Sequence, residues 1–281
     1  MNAPIGIFDS GIGGLTVAHA IAQLLPNEQI IYFGDTAHLP YGDKSADAIQ
    51  HYSAKITDFL LQRNCKIIVI ACNTASSVAF RMLKNYLADK TPIINVIEPV
   101  VRAVVNNHFK HVGVIATKRT IQTNIYPATL NYLQPDLQIS ALATHAFVTL
   151  IEENVHKNKK VLDALIEHYL SNPDFDNIEA LILGCTHYPI IKHDIERFFE
   201  QHRSNAKAPK IFDSIETVAL RVKEVLTERN LLNTETSNTP PIHHFYVSDY
   251  TQAFEQTTET FFGQKIRLEH FPIWEMPILD N

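Results

Sequence analysis

The chain holds three cysteines, Cys65, Cys72 and Cys185, and two of them stand in matching surroundings. IVIACNTA and LILGCTHY each read as an apolar run, a small residue, a cysteine and then hydrogen-bonding side chains. The 113 positions that separate Cys72 from Cys185 suggest two similar half-structures facing each other across a cleft. Thiols on opposed walls have a definite chemical use. Taking the α-proton from an amino acid requires a base, and returning it to the other face requires an acid on the other side. One group does not easily reach both faces, whereas a thiolate and a thiol share the task. A free cysteine ionises at about 8.5, close enough to neutrality for neighbours to decide which of the two holds the proton. Asp9 and His187 are the neighbours suited to that tuning, a carboxylate as proton acceptor and an imidazole that stabilises or generates a thiolate. Cys65 has no polar cluster after it and reads as a small buried hydrophobe.

Other polar clusters also follow apolar runs directly. Ile5–Phe8 leads into Asp9-Ser10-Gly11, Val112–Ala116 into Thr117, and Lys210–Phe212 into Asp213-Ser214. In open α/β folds ligands bind beyond the carboxyl ends of the strands, so these clusters are candidates for one shared site. Ser10, Asn73, Thr74 and Thr186 offer neutral donors for carboxylates, and the Gly11–Gly14 turn is placed to aim backbone N–H groups at an anion. DSGIGG matches neither GxGxxG nor GxxxxGK[ST], which argues against a nucleotide. Pro40-Tyr41-Gly42 reads as a turn. No lysine context marks a pyridoxal phosphate site. CxxC and HExxH are both absent, and His243 and His244 would face opposite ways in a strand, so no metal and no other cofactor is expected.

The elements that must position these groups alternate along the chain. Strands are expected at Ile5–Phe8, Gln29–Phe33, Ile67–Ala71, Pro92–Ile97, His111–Ala116, Gln138–Ala143, Glu179–Gly184 and Lys210–Phe212. Runs such as IIVIA and ALILG are apolar throughout, as strands buried on both faces of a parallel sheet are. Ile49, Tyr52, Ile56, Phe59 and Leu60 follow helical spacing, as do Leu15, Ala18, Ala22 and Leu25 ahead of Pro26. Strand and helix in alternation predict βαβ units and an open α/β sheet. Thr234–Pro241 reads as a loop before two late strands near Ile242–Val247 and Ile266–Phe271, expected at a sheet edge and antiparallel. Domain crossings are expected at Asn95–Pro99 and Asn205–Pro209, which gives one domain from 1–97 with 209–281 and another from 98–208.

The bulk properties narrow the class. The 281 residues are 46% hydrophobic and 19% charged, with a formal net charge of −6 and no basic block, so no nucleic-acid contact is expected. MNAPIGIFDSGIGG lacks the cationic start and apolar run of a signal peptide, and no stretch reaches the roughly 20 apolar residues of a membrane span. The expectation is a cytoplasmic protein without membrane attachment. An odd, sparse set of three cysteines suits that setting better than a disulfide framework.

At its chemistry-bearing residues the chain resembles the bacterial glutamate racemases. The matching strings are GIFDSGIGGLTV (6–17), YFGDTAHLPYG (32–42), ACNTAS (71–76), GVIATKRT (113–120), LGCTHYP (183–189) and FDS (212–214), in order across nearly the whole chain, with a looser FYVSDYTQAF. The resemblance implies two α/β domains with pseudo-twofold symmetry, the substrate between them, and Cys72 and Cys185 as the acid/base pair assisted by Asp9 and His187. It implies substrate contacts at Asp9-Ser10, Tyr41-Gly42, Asn73-Thr74 and Thr186-His187, with Thr117 and Glu152 as further contacts. Cys185 would face L-glutamate and Cys72 D-glutamate, and the D-glutamate would feed peptidoglycan synthesis. Expected partners are glutamate and a second copy of the chain in a homodimer. His38 departs from the family, which often carries arginine there, and PIWEMPILDN at the C-terminus has no counterpart. Aspartate racemase or a broader racemase is the first alternative, and CTHYP favours glutamate over it. A Cys–His hydrolase or transferase using Cys185 as nucleophile leaves Cys72-Asn73-Thr74 unexplained. A different class is a binding protein that regulates a DNA-handling enzyme, as some glutamate racemases inhibit DNA gyrase. A pull-down with gyrase separates that role from a purely metabolic one.

Overall fold

The structure is a computed structural model that describes residues 3–202, 207–234 and 240–275. Its strands are Ile5–Asp9 (β1), Ile30–Gly34 (β2), Ile67–Ile70 (β3), Ile93–Asn95 (β4), His111–Ala116 (β5), Gln138–Ala143 (β6), Ala180–Gly184 (β7), Lys210–Phe212 (β8), His244–Val247 (β9) and Glu269–His270 (β10). They form two sheets, ordered β10-β9-β2-β1-β3-β4 and β6-β5-β7-β8, in which every described pair is parallel. β1, β2, β3, β5 and β7 are buried along their whole length, which accounts for their unbroken apolar runs. Helices cover the faces between them. In the helix Ala46–Gln62, Ser45 caps the start by accepting from the Ala48 N–H, and Ile49, Ile56, Phe59 and Leu60 are buried. No helix among the described residues is long and apolar enough to cross a membrane.

Two expectations about the sheets change. The late strands are short and parallel, not antiparallel. The helix Gln252–Phe262 lies between them, and a strand followed by a crossover helix returns in the same direction. The chain also stays with the four-stranded sheet through Lys210–Phe212, which pairs with β7, so the return crossing lies beyond Phe212 and not at 209. The helix Lys192–His202 supplies the crossover that brings β8 beside β7. Of the loop Thr234–Pro241, residues 235–239 lie outside the described residues, as do 205 and 206 of the expected crossing at Asn205–Pro209 and the last six residues of PIWEMPILDN.

The six-stranded sheet is anchored to its outer helices by a buried ion pair. Lys66 Nζ lies 2.5 Å from Glu28 Oε2, with 4% and 2% of the two side chains exposed. Lys66 also donates to the Leu231 carbonyl, and Glu28 Oε1 accepts from the Asn233 N–H. The pair therefore ties the ends of β3 and of the helix Ser214–Glu228 to the turn before β2. Lys66→Met should lower stability by about 3–5 kcal/mol, because Glu28 keeps its burial and loses its cation. Urea denaturation reads the loss, and Glu28→Gln in the same chain should restore part of it by removing the stranded charge.

Candidate active site

The carboxyl ends of β1, β3, β5 and β7 converge on one cavity of about 180 Å³. Ser10, Tyr41, Gly42, Cys72, Asn73 and Thr74 line it from the six-stranded side, and Thr117, Glu152, Cys185, Thr186 and His187 from the other. Both cysteines are buried, with 5% exposure each, and both open onto this space. The turn 41–44 closes the cleft: a Cβ at Gly42 would come within 3.3 Å of Thr117 Cβ, and Arg119 Nε donates to the Lys44 carbonyl.

Cys72 is the N-cap of the helix Asn73–Leu87, its sulfur accepting from the Ala75 N–H at 3.4 Å. Ser10 Oγ lies 3.5 Å from the same sulfur. Burial, and then the charge of Asp9, push the Cys72 thiol up to about 12, against smaller opposing pulls from the Ala75 N–H and Ser10. The charge of Cys185 raises it further. Cys72 is thus a thiol at neutral pH. Cys185 has a different neighbour. Its sulfur lies 3.7 Å from His187 Nδ1, and His187 Nε2 lies 3.0 Å from Glu152 Oε1. Burial by itself pulls the imidazolium down, but hydrogen bonds to Cys185 and Glu152 and their charges outweigh it and hold His187 well above its ordinary value. A buried imidazolium is the cation that a thiolate at Cys185 needs. The charge that acts on Cys72 is instead that of Asp9, a carboxylate, which raises its thiol.

Asp9 lies behind the wall and is not part of the lining. It is fully buried, and its Oδ2 accepts from the N–H groups of Gly11 and Gly14. Those two N–H groups of the glycine turn therefore serve the chain's own carboxylate, not a bound anion. Asp9 Oδ1 is buried without a hydrogen-bond partner. Gly13 has another purpose. A Cβ there would stand 2.5 Å from His187 Cε1 and 2.7 Å from Thr186 Oγ1, so only a glycine lets the imidazole seat where it does.

Neutral donors complete the walls. Tyr126 donates to Asn73 Oδ1 at 2.6 Å, which leaves Asn73 Nδ2 buried and unpartnered in the cavity wall. Thr74, Thr117 and Thr120 share hydroxyl contacts of 2.9 to 3.4 Å. Asp213 and Ser214 are not brought to the site. Asp213 pairs with Lys192 and caps its own helix, accepting from the Ile215 N–H. Cys65 is buried against Gly6, away from the cavity.

Sequence reasoning passed over Leu39, Pro40, Asp43, Lys118, His145, Val148 and Thr149, which also line the cavity. His145 was within reach of the positional rule, because Thr144-His145 follows β6 as Cys185 follows β7. Val148 and Thr149 lie on the helix Ala146–Glu152, where no strand end marks them. No group of three or more His, Cys, Asp or Glu side chains among the described residues is placed to hold a metal ion. A larger groove of about 460 Å³, beside Lys84, Glu98 and Arg102, contains no cysteine or histidine.

The pattern of the Asp/Glu/Hydantoin racemase family matches residues 8–224. The chain is 40% identical over 261 residues to the glutamate racemase of Chlorobium phaeobacteroides, which covers 92% of each. Among solved structures it is similar to the glutamate racemase of Francisella tularensis in complex with D-glutamate, at a TM-score of 0.86 and 37% identity, covering 97% of this chain and 98% of that one. It is also similar to glutamate racemase isoform RacE1 of Bacillus anthracis, at a TM-score of 0.87 and 32% identity, covering 96% and 98%.

Proposed function

The chain belongs to the Asp/Glu/Hydantoin racemase family, and from that premise we infer that it is a glutamate racemase working through two opposed thiols. The observation that carries the mechanism is the unlike pair at one cavity: Cys185 with its sulfur 3.7 Å from the His187 imidazole, and Cys72 with its thiol pushed up by burial and by the charge of Asp9. With the α-carbon of glutamate between them, the Cys185 thiolate takes the α-proton. The C–H electron pair passes into the α-carboxylate as the carbon flattens, and the Cys72 thiol delivers its proton to the other face. The product is the opposite enantiomer, with Cys185 now a thiol and Cys72 a thiolate.

The supporting groups fit those steps. His187, held by Glu152, balances the charge of the thiolate at Cys185. Asp9 keeps the proton on Cys72 until the carbanion calls for it. Asn73 Nδ2 and the cavity-facing threonines supply donors for two carboxylates. The assignment of Cys185 to L-glutamate and Cys72 to D-glutamate follows the family resemblance. A hydrolase built on Cys185 and His187 would give Cys72 no task at the same cavity. The D-glutamate formed would supply peptidoglycan synthesis.

The test is purified protein with L-glutamate in D₂O and no added cofactor, read by optical rotation and α-deuterium together. Loss of rotation with one deuterium gained at the α-carbon is expected, unchanged by a chelator. Aspartate, one methylene shorter, should turn over at least about 10²-fold more slowly, because its α-carbon sits out of line with the thiols. Equal rates would move the chain to a broader racemase, and absence of both signals with glutamate would defeat the reading.

A further inference from the structure

Asp35, which follows β2, is fully buried, and its carboxylate gathers donors from four side chains. Oδ2 accepts from the Tyr41 hydroxyl at 2.7 Å and from His38 Nδ1 at 2.9 Å. Oδ1 accepts from Ser248 Oγ at 2.7 Å and from Trp274 Nε1 at 2.8 Å. None of Asp35, His38, Ser248 and Trp274 lines the cavity, but Tyr41 and its neighbour Gly42 do. His38 and Trp274, the latter from the C-terminal stretch that has no counterpart in the resemblance, meet at this carboxylate.

The rings reinforce the meeting. His38 stacks on Tyr52 with centroids 3.9 Å apart, and Trp274 packs edge-on against both, at 4.5 Å from His38 and 5.1 Å from Tyr52. Tyr52 belongs to the helix Ala46–Gln62, a long, well-capped element. Trp274 is thereby fixed on a rigid surface while its N–H holds Asp35, and Asp35 in turn holds Tyr41.

We propose that Trp274 and His38 clamp Asp35 and so set the position of the Tyr41–Gly42 wall against bound glutamate, which makes Trp274 a positioning residue for substrate affinity. This rests on the glutamate racemase reading. The thiols are outside the clamp: Cys72 is held by β3 and its helix cap, and Cys185 by β7. Loosening the wall therefore weakens substrate contacts that are made equally before and during proton transfer. The effect falls on KM and leaves kcat close to native.

Trp274→Phe keeps the ring packing and removes the N–H. It should raise KM for glutamate about three- to tenfold, the worth of one buried hydrogen bond, with kcat changed less than about twofold. Tyr41→Phe breaks the same chain of contacts at its other end. Because both act through one carboxylate, the double variant should show little more than the larger single effect, a non-additivity that a merely structural tryptophan would not produce. Calorimetric titration with D-glutamate in a Cys72→Ala background, where interconversion is lost, should show the same pattern. If Trp274→Phe fails to fold, Ser248→Ala, which removes the other Oδ1 donor, replaces it in the same cycle with the same expectation. Native KM and affinity in the single variant, or effects that multiply in the double, would overturn the proposal. Failure of the wild-type chain to racemise glutamate would defeat the underlying reading instead.

Discussion

Alanine at either Cys72 or Cys185 should lower racemisation by at least about 10²–10⁴-fold, the usual contribution of a positioned acid or base. The two variants should then differ in what survives. Cys72→Ala keeps Cys185 with its His187–Glu152 support, so α-proton exchange into D₂O should continue for one enantiomer, L-glutamate by the family resemblance. Cys185→Ala leaves Cys72, whose thiol is pushed up to about 12 by burial and by Asp9. Only its small ionised fraction is a base, and that fraction grows about tenfold per pH unit below the thiol's pKa. Residual exchange of D-glutamate should therefore be slow near neutrality and climb steeply with alkali. NMR of the α-position with each enantiomer, across pH, reads both effects. Cys65→Ala is the control: its sulfur packs beside Gly6, and the change should touch stability but not rate. Near-native interconversion in either active-site variant would make that cysteine structural and end the two-thiol account.

Gly13→Ala should cost nearly as much without touching a reacting group. The added methyl would meet His187 Cε1 at 2.5 Å and Nδ1 at 2.7 Å, and Thr186 Oγ1 at 2.7 Å, on a loop whose neighbours are all buried. Relief requires the imidazole to retreat by about 1 Å, a displacement that costs proton transfer as much as ~10²-fold. The imidazole nitrogen moved is the one that faces Cys185, so kcat should fall while the melting temperature stays close to native. His187→Asn should abolish most of the further effect, because the methyl then displaces a side chain with no thiolate to support. Additive losses from Gly13→Ala and His187→Asn would place the glycine's role in the backbone instead.

Much of this site is legible in the sequence because parallel sheets write it in a local code. A strand buried on both faces is an unbroken apolar run, and the polar residues after it stand at the carboxyl edge; Cys72, Thr117 and Cys185 were found in this way. The same rule misplaced Asp213-Ser214, since β8 is an edge strand and its following residues turn to cap a helix. The glycine turn was read as an anion cradle, and its anion proved to be Asp9, five residues or fewer away. The direction of the late strands turned on whether 247–266 held a hairpin or a crossover helix, and Gln252–Phe262 decided it. The gathering around Asp35 had no local signature at all, because Ser248 and Trp274 reach it from more than 200 positions away.

The unlike surroundings of the two cysteines have a thermodynamic consequence. Enantiomers of glutamate have equal free energy in water, so at equilibrium they are present in equal amounts whatever the enzyme. The efficiencies kcat/KM in the two directions must then be identical. On the two-thiol reading, a free enzyme with His187 charged and Cys72 protonated is nevertheless ready for one enantiomer and must exchange protons before it accepts the other. Apparent affinity for the second enantiomer is weakened by the fraction of molecules in the competent state. Equality of the two efficiencies obliges its turnover number to be greater by the same factor. The asymmetry built into the cleft is thus invisible in any single measure of efficiency, and is found only in how each direction divides between saturation and speed.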